Sequence, residues 1–155
     1  MRFPEVTGSN LEQRRFTLPG DLEGDLNLLF LAFWQRHQAL VDSWMPLADR
    51  LQEQRQDLMA YELPVIQSRS RLSQWFIDGG MRAGIPDRRV REHTITLYLD
   101  KPPFLDALDI SDDRTIQVLV VDRSGRVVWR TAGAWNPAPE ADLVSFLDQQ
   151  IAHQS

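Results

Sequence analysis

A short polar break, Gln35, Arg36, His37 and Gln38, separates an apolar run, Leu28 to Trp34, from a helical pattern that starts at about Gln38. Arg36 and His37 are residue types that hold a carboxylate or a phosphate, and unpaired N–H groups at a helix start would add to that grip. The bland alternative is a solvated turn. His37 has no serine or metal-spaced partner. His93 and His153 lie far off, without H-x-x-x-H or H-E-x-x-H spacing, so a zinc site is not expected. No convincing acid–base pair is offered, and no cofactor motif. A second charged group, Asp78, Arg82 and Asp87 with Arg88, Arg89 and Arg91, surrounds a Gly84-Ile85-Pro86 turn. It reads either as a partner-binding loop or as surface charges paired among themselves. Trp135, in an Ala-Trp-Asn-Pro loop, fits no apolar stripe and is the candidate for an exposed aromatic anchor. Trp34, Trp44, Trp75 and Trp129 fit periodic apolar faces and are expected in the core.

Composition narrows the chemistry. The 155 residues contain no cysteine, which excludes disulfides, thiolate metal sites and thiol mechanisms, and leaves the redox compartment undecided. Hydrophobic residues make up 43% and charged residues 25%, the balance of one globular domain that can bury its own core. Net charge is −5, and of 17 basic residues only Lys101 is a lysine. No basic run with interleaved aromatics is present, so nucleic acid is not an expected partner. The first ten residues carry Glu5 and lack an apolar signal region, and no stretch is long enough to span a bilayer, so a soluble cytoplasmic protein is expected.

These residues need elements to hold them. Residues 1–14 read as a loose arm, with Pro4, Gly8, Ser9 and Asn10 as breakers, and 15–155 as the domain. Strands are expected at Arg15–Leu18, about Leu26–Trp34, Leu58–Ile66, Thr94–Leu99, Ile116–Asp122 and Val127–Thr131. Pro64 argues that one end of its strand is unpaired. Helices are expected at about 38–54, kinked at Pro46, at 70–81, at 102–108, and from Pro137 or Pro139 onward with Leu143, Phe146, Leu147 and Ile151 buried.

Phe33-Trp34, a short turn, and a helix carrying Met45-Pro46 resemble thioredoxin-like oxidoreductases, as does the hairpin VLVVDRSGRVVWRTAG. The resemblance covers about residues 15–152. It implies a three-layer α/β/α sandwich around a mixed five-stranded sheet, with an α-β insert and a C-terminal hairpin plus helix. Counting back from Met45-Pro46 puts the family's two cysteines at Gln38 and Val41. Register with the hairpin puts its cis-proline at Ile116, after Thr115. With thiols and proline both absent, the resemblance implies a binding surface and no redox catalysis. Val41 to Trp44, Phe76 to Pro86, Thr94 to Asp100 and Val120 to Trp129 further resemble the mitochondrial ATP synthase assembly factors named for ATPase-complex assembly factor ten, and their bacterial relatives. That branch implies a non-enzymatic, chaperone-like assembly factor with a protein client, such as a hydrophobic membrane subunit. The contrasting expectation is an enzyme with a non-thiol mechanism that binds a small anion at Arg36 and His37.

Overall fold

A computed structural model describes residues 1–67 and 88–154. Their organising element is β3 (Leu26–Ala32), seven residues that are all buried. All but Asn27, whose amide donates to the Gly24 and Val121 carbonyl oxygens, are apolar, and such a run with both faces covered belongs in the middle of a sheet. β3 pairs in parallel with β4 (Leu58–Gln67) and antiparallel with β6 (Gln117–Asp122). The sheet continues through β5 (Ile95–Leu99), β1 (Val6–Asn10) and β2 (Arg15–Leu18) on one side, and β7 (Val127–Ala132) on the other. Its order is β2-β1-β5-β4-β3-β6-β7.

Seven strands replace the expected five, and the difference lies largely in the first residues. The segment expected to be a loose arm is β1, which joins β2 and β5 antiparallel. Phe3 is buried beside Phe104, with ring centroids 5.9 Å apart. The breakers in this segment serve pairing instead of looseness. Asn10 accepts from the N–H groups of Glu12 and Arg14 through its side-chain oxygen and so builds the β1–β2 turn. Gly8 permits close approach of β5: a Cβ there would lie 2.5 Å from the Thr96 carbonyl oxygen. Gly8→Ala is therefore expected to cost about 1–3 kcal/mol through overpacking. A thermal midpoint unchanged by the substitution would contradict this tight β1–β5 contact.

The two sheet faces carry separate cores. Leu29, Leu31, Phe33, Leu63, Leu97 and Leu119 pack with Phe104 and Leu108, at the helix α4 (Lys101–Ala107). Leu28, Phe30, Val118 and Val120 pack on the other face with Trp44, Leu47 and Leu51 of the first helices and with Leu143 and Leu147 of α5 (Pro137–Gln154). A short helix, α3 (Arg88–Glu92), precedes β5. Helices thus cover both faces, as expected for the three-layer sandwich. Among the described residues no helix is long and apolar enough to cross a membrane. The helix expected at 70–81 lies outside the described residues.

Two expectations about proline change. The single kinked helix is instead a 3-10 turn (Gln35–His37), α1 (Gln38–Asp42) and α2 (Met45–Gln54). Pro46 sits in the first turn of α2, where its missing N–H has no intrahelical role, so the chain breaks before the proline and no kink is needed. Pro64 lies inside β4, in register with Ala32 of β3. On the β5 side, the Glu62–Thr94 bridge and the ladder that begins at Val65–Leu97 fall on either side of it, so its lack of an N–H is tolerated there. At the β6–β7 hairpin, Asp122 accepts from the N–H groups of Ser124 and Arg126 and from the Ser124 hydroxyl. Burial alone would raise the Asp122 pKa, but these bonds outweigh it and bring it below the ordinary carboxylate value.

Candidate functional site

Phe33 and Trp34 follow directly on the C-terminal end of β3 and differ in burial. Phe33 is fully buried, while Trp34 is 40% exposed. The expectation that Trp34 belongs to the core is thus corrected: it lies at the strand's exit, where the apolar run leaves the sheet. The Arg36 guanidinium carbon lies 5.3 Å from the centroid of the Trp34 ring, and Lys101 Nζ lies 3.9 Å from the same centroid. Both are cation–π distances.

His37 is not the anion-binding or solvated group that its neighbours suggested. It is 1% exposed. Its Nδ1 accepts from the Phe33 N–H at 3.1 Å, and its Nε2 lies 3.1 Å from the Arg114 carbonyl oxygen, to which it donates. An acceptor at one nitrogen and a donor at the other define the neutral ring with its proton on Nε2. Burial lowers the His37 pKa, with Arg36 and Lys101 acting in the same direction; the Arg114 carbonyl and Asp113 oppose the shift. His37 therefore ties the end of β3 to the loop before β6.

Lys101 makes a second tie. It is 8% exposed, and its Nζ donates to the Phe33 carbonyl oxygen at 2.8 Å, with Asp113 Oδ2 at 3.9 Å. Burial pushes its pKa below the ordinary lysine value, Asp113 opposes the shift, and the Arg36 charge adds to it. Neither motif nor periodicity marks this residue as part of the site. Its one signal in the sequence is singularity: every other basic residue, apart from histidine, is arginine.

The remaining candidates divide by burial. Val41 and Ile116, assigned to a binding surface, are both buried and belong to one apolar cluster. Each contributes an aliphatic side chain to that core. Neither can touch a partner without rearrangement. Gln38 is half-buried and donates to the Asp42 carboxylate at 2.7 Å, along one turn of helix. Thr115, beside Ile116, is also half-buried. Asp78, Arg82 and Asp87 lie outside the described residues, as do Trp75 and the Gly79-Gly80 pair.

Trp135 is 38% exposed, in line with its reading as an aromatic outside the core. Its N–H donates to Ser43 Oγ at 2.9 Å, and its indole N–H donates to Glu140 at 2.8 Å. Ser43 in turn donates to the Leu40 carbonyl oxygen. The loop is thereby fixed to the end of α1. Trp44 secures it from below: fully buried, it donates its indole N–H to the Gly133 carbonyl oxygen at 3.0 Å. Gly133 has φ +95°, a conformation that suits glycine, and its N–H donates to the Ile116 carbonyl oxygen. The corner thus has Trp34 and Arg36 before α1, Trp135 tethered at its far end, and a buried frame of His37, Lys101 and Trp44 beneath. It can present aromatic and cationic surface. Among the described residues the corner holds no nucleophile activated by a base.

No protein-family model matches the sequence, and no curated protein does. Solved structures match over nearly the whole chain. BsSco, a member of the Sco family of cytochrome c oxidase assembly proteins, is 13% identical at a TM-score of 0.63, with 96% of this chain and 92% of that one covered. A putative electron transfer protein from Aquifex aeolicus VF5 is 14% identical at 0.62, covering 94% and 89%. The exposed lipoprotein thioredoxin Etrx1 of Streptococcus pneumoniae is 14% identical at 0.59, covering 94% and 99%. At such identities the likeness carries the architecture alone: the chain has the thioredoxin-like α/β fold.

Proposed function

We propose that the protein is a binding or assembly factor that holds another protein at the Trp34–Trp135 corner. The observation that carries this reading is the exposure of both indoles around α1, on a frame whose buried groups are hydrogen-bonded. Tryptophan, with tyrosine and arginine, is enriched among the few residues that dominate a protein interface. The absence of cysteine removes thiol exchange as the use of this corner. Resemblance to the ATP synthase assembly factors supports a client of the membrane-subunit kind. BsSco, from a family of cytochrome c oxidase assembly proteins, shares the architecture, which lends support to assembly work on such a scaffold. The competing enzyme reading is weakened by His37, whose ring nitrogens are both engaged.

The test places a photo-reactive residue at Ala39, exposed on α1, or at Arg15, exposed on the far edge strand. Cross-linking in the native host to a defined partner is expected from position 39 and not from position 15. Trp34→Ala and Trp135→Ala should each reduce it several-fold while moving the thermal midpoint by only a few degrees, since neither indole is buried. Equal cross-linking from both positions would overturn the reading. A large fall in midpoint for Trp135→Ala would make that residue part of the core.

A further inference from the structure

We propose that the Trp34 corner selects an acidic peptide segment, with Arg36 taking a carboxylate and Trp34 an adjoining apolar side chain, while Lys101 positions the indole. The inference rests on the docking reading above and names the chemistry of what docks.

The charges around the indole motivate it. Arg36 is exposed and has no carboxylate partner among the described residues. Lys101 lies against the same ring, so two cations share one aromatic neighbour. Asp113 faces Lys101 at 3.9 Å. Arg114, with 85% of its side chain exposed, reaches Asp112 at 3.8 Å. Among the described residues, two cations, Arg36 and Lys101, and one carboxylate, Asp113, are thus placed at the Trp34 ring or against its lysine, while Arg114 and Asp112 face each other, on a chain whose net charge is −5. This locally positive spot on an acidic protein would gain from one more carboxylate, and a guanidinium is the group best shaped to take it.

The same surroundings favour a peptide over a free small anion. A small anion would use Arg36 and leave the exposed indole idle. From Trp34 to Ser43, which holds Trp135, the chain is nearly all helical and rises on the order of 13 Å. That span equals about four residues of extended chain. A short strand of peptide can therefore reach both tryptophans while its carboxylate meets Arg36.

The experiment measures fluorescence anisotropy of three short labelled peptides, identical except that alternate positions around a central phenylalanine carry Glu, Gln or Lys. The Glu peptide is expected to bind about tenfold or more tightly than the Gln peptide, a difference of about 1.4 kcal/mol. The Lys peptide should bind most weakly, and the Glu preference should shrink at about 0.3 M salt. Arg36→Glu should remove the preference for Glu. Lys101→Met should instead weaken the Glu and Gln peptides alike and move the Trp34 indole N–H resonance, the signature of a positioning residue. Lys101→Arg, which keeps the cation, should restore part of the affinity.

Equal affinity for all three peptides, lost in Trp34→Ala, would overturn the acidic preference and leave the docking surface standing. Binding insensitive to both Trp34→Ala and Trp135→Ala would remove the docking surface as well. Displacement of the Glu peptide by inorganic phosphate at comparable concentration would mean that the site takes free anions, which overturns the inference. No binding by any peptide also overturns it.

Discussion

His37→Ala is expected to destabilise the protein by about 3–5 kcal/mol, although the residue stands in what its sequence presents as a polar turn. The substitution removes the acceptor of the Phe33 N–H and the donor to the Arg114 carbonyl oxygen, both at a buried site. Each buried polar group left without a partner costs about 1–3 kcal/mol, and the vacated ring volume adds to that. In a chain of this length the thermal midpoint should fall by about 10 °C. His37→Gln, which retains both a donor and an acceptor, should recover part of the loss. A midpoint change below about 2 °C for His37→Ala would mean that the two bonds do not hold the corner.

The same residue gives a pH dependence of definite sign. Burial depresses the folded-state pKa of His37 below its ordinary value of 6.5. Between the two values the unfolded chain binds a proton that the folded chain does not. Stability from this group is therefore complete above the ordinary histidine pKa and is lost as pH falls from there toward the folded value. The slope cannot exceed about 1.4 kcal/mol per pH unit, the limit for one proton. Denaturant midpoints measured from neutral pH down to about 5 should fall more steeply in the native chain than in His37→Gln. Parallel curves would assign the acid sensitivity to other groups.

Trp44→Ala is the second substitution with a large expected effect, about 3–5 kcal/mol, the usual cost of deleting a buried large aromatic. Trp44 is fully buried, packs obliquely on Phe30 with centroids 6.1 Å apart, and bonds the Gly133 carbonyl oxygen. Trp44→Phe keeps most of the packing and loses that bond, so it should cost about 1–3 kcal/mol. The two variants also separate stability from presentation. The residues from Gly133 to Trp135 are held by Trp44 and Ser43, so Trp44→Phe should loosen the Trp135 loop and weaken client cross-linking from position 39 in the folded protein. Unchanged cross-linking would mean that Trp135 is positioned by Ser43 and Glu140 alone.

The amino-acid sequence by itself determined the α/β class built around β3 and the absence of thiol chemistry. β3, β6 and the last helix declare themselves because their apolar residues recur without interruption or at helical spacing, and hydrophobic burial follows that pattern wherever the chain goes. The absence of cysteine is likewise independent of conformation. Only the tertiary structure decided which members of the corner are surface. Trp34 ends a fully apolar run and was legible as core, yet the strand stops at Ala32 and its side chain emerges. His37 was legible as polar, yet its partners are backbone groups four residues before it and 77 residues beyond it. Val41 and Ile116 were aligned as a contact surface, yet both are buried in one apolar cluster. β1 was hidden because its pairing depends on β2 and β5 and on the close approach that Gly8 allows. For His37 and β1 the deciding interaction joins groups that the pattern along the chain does not connect, and burial follows from that partner, not from residue type.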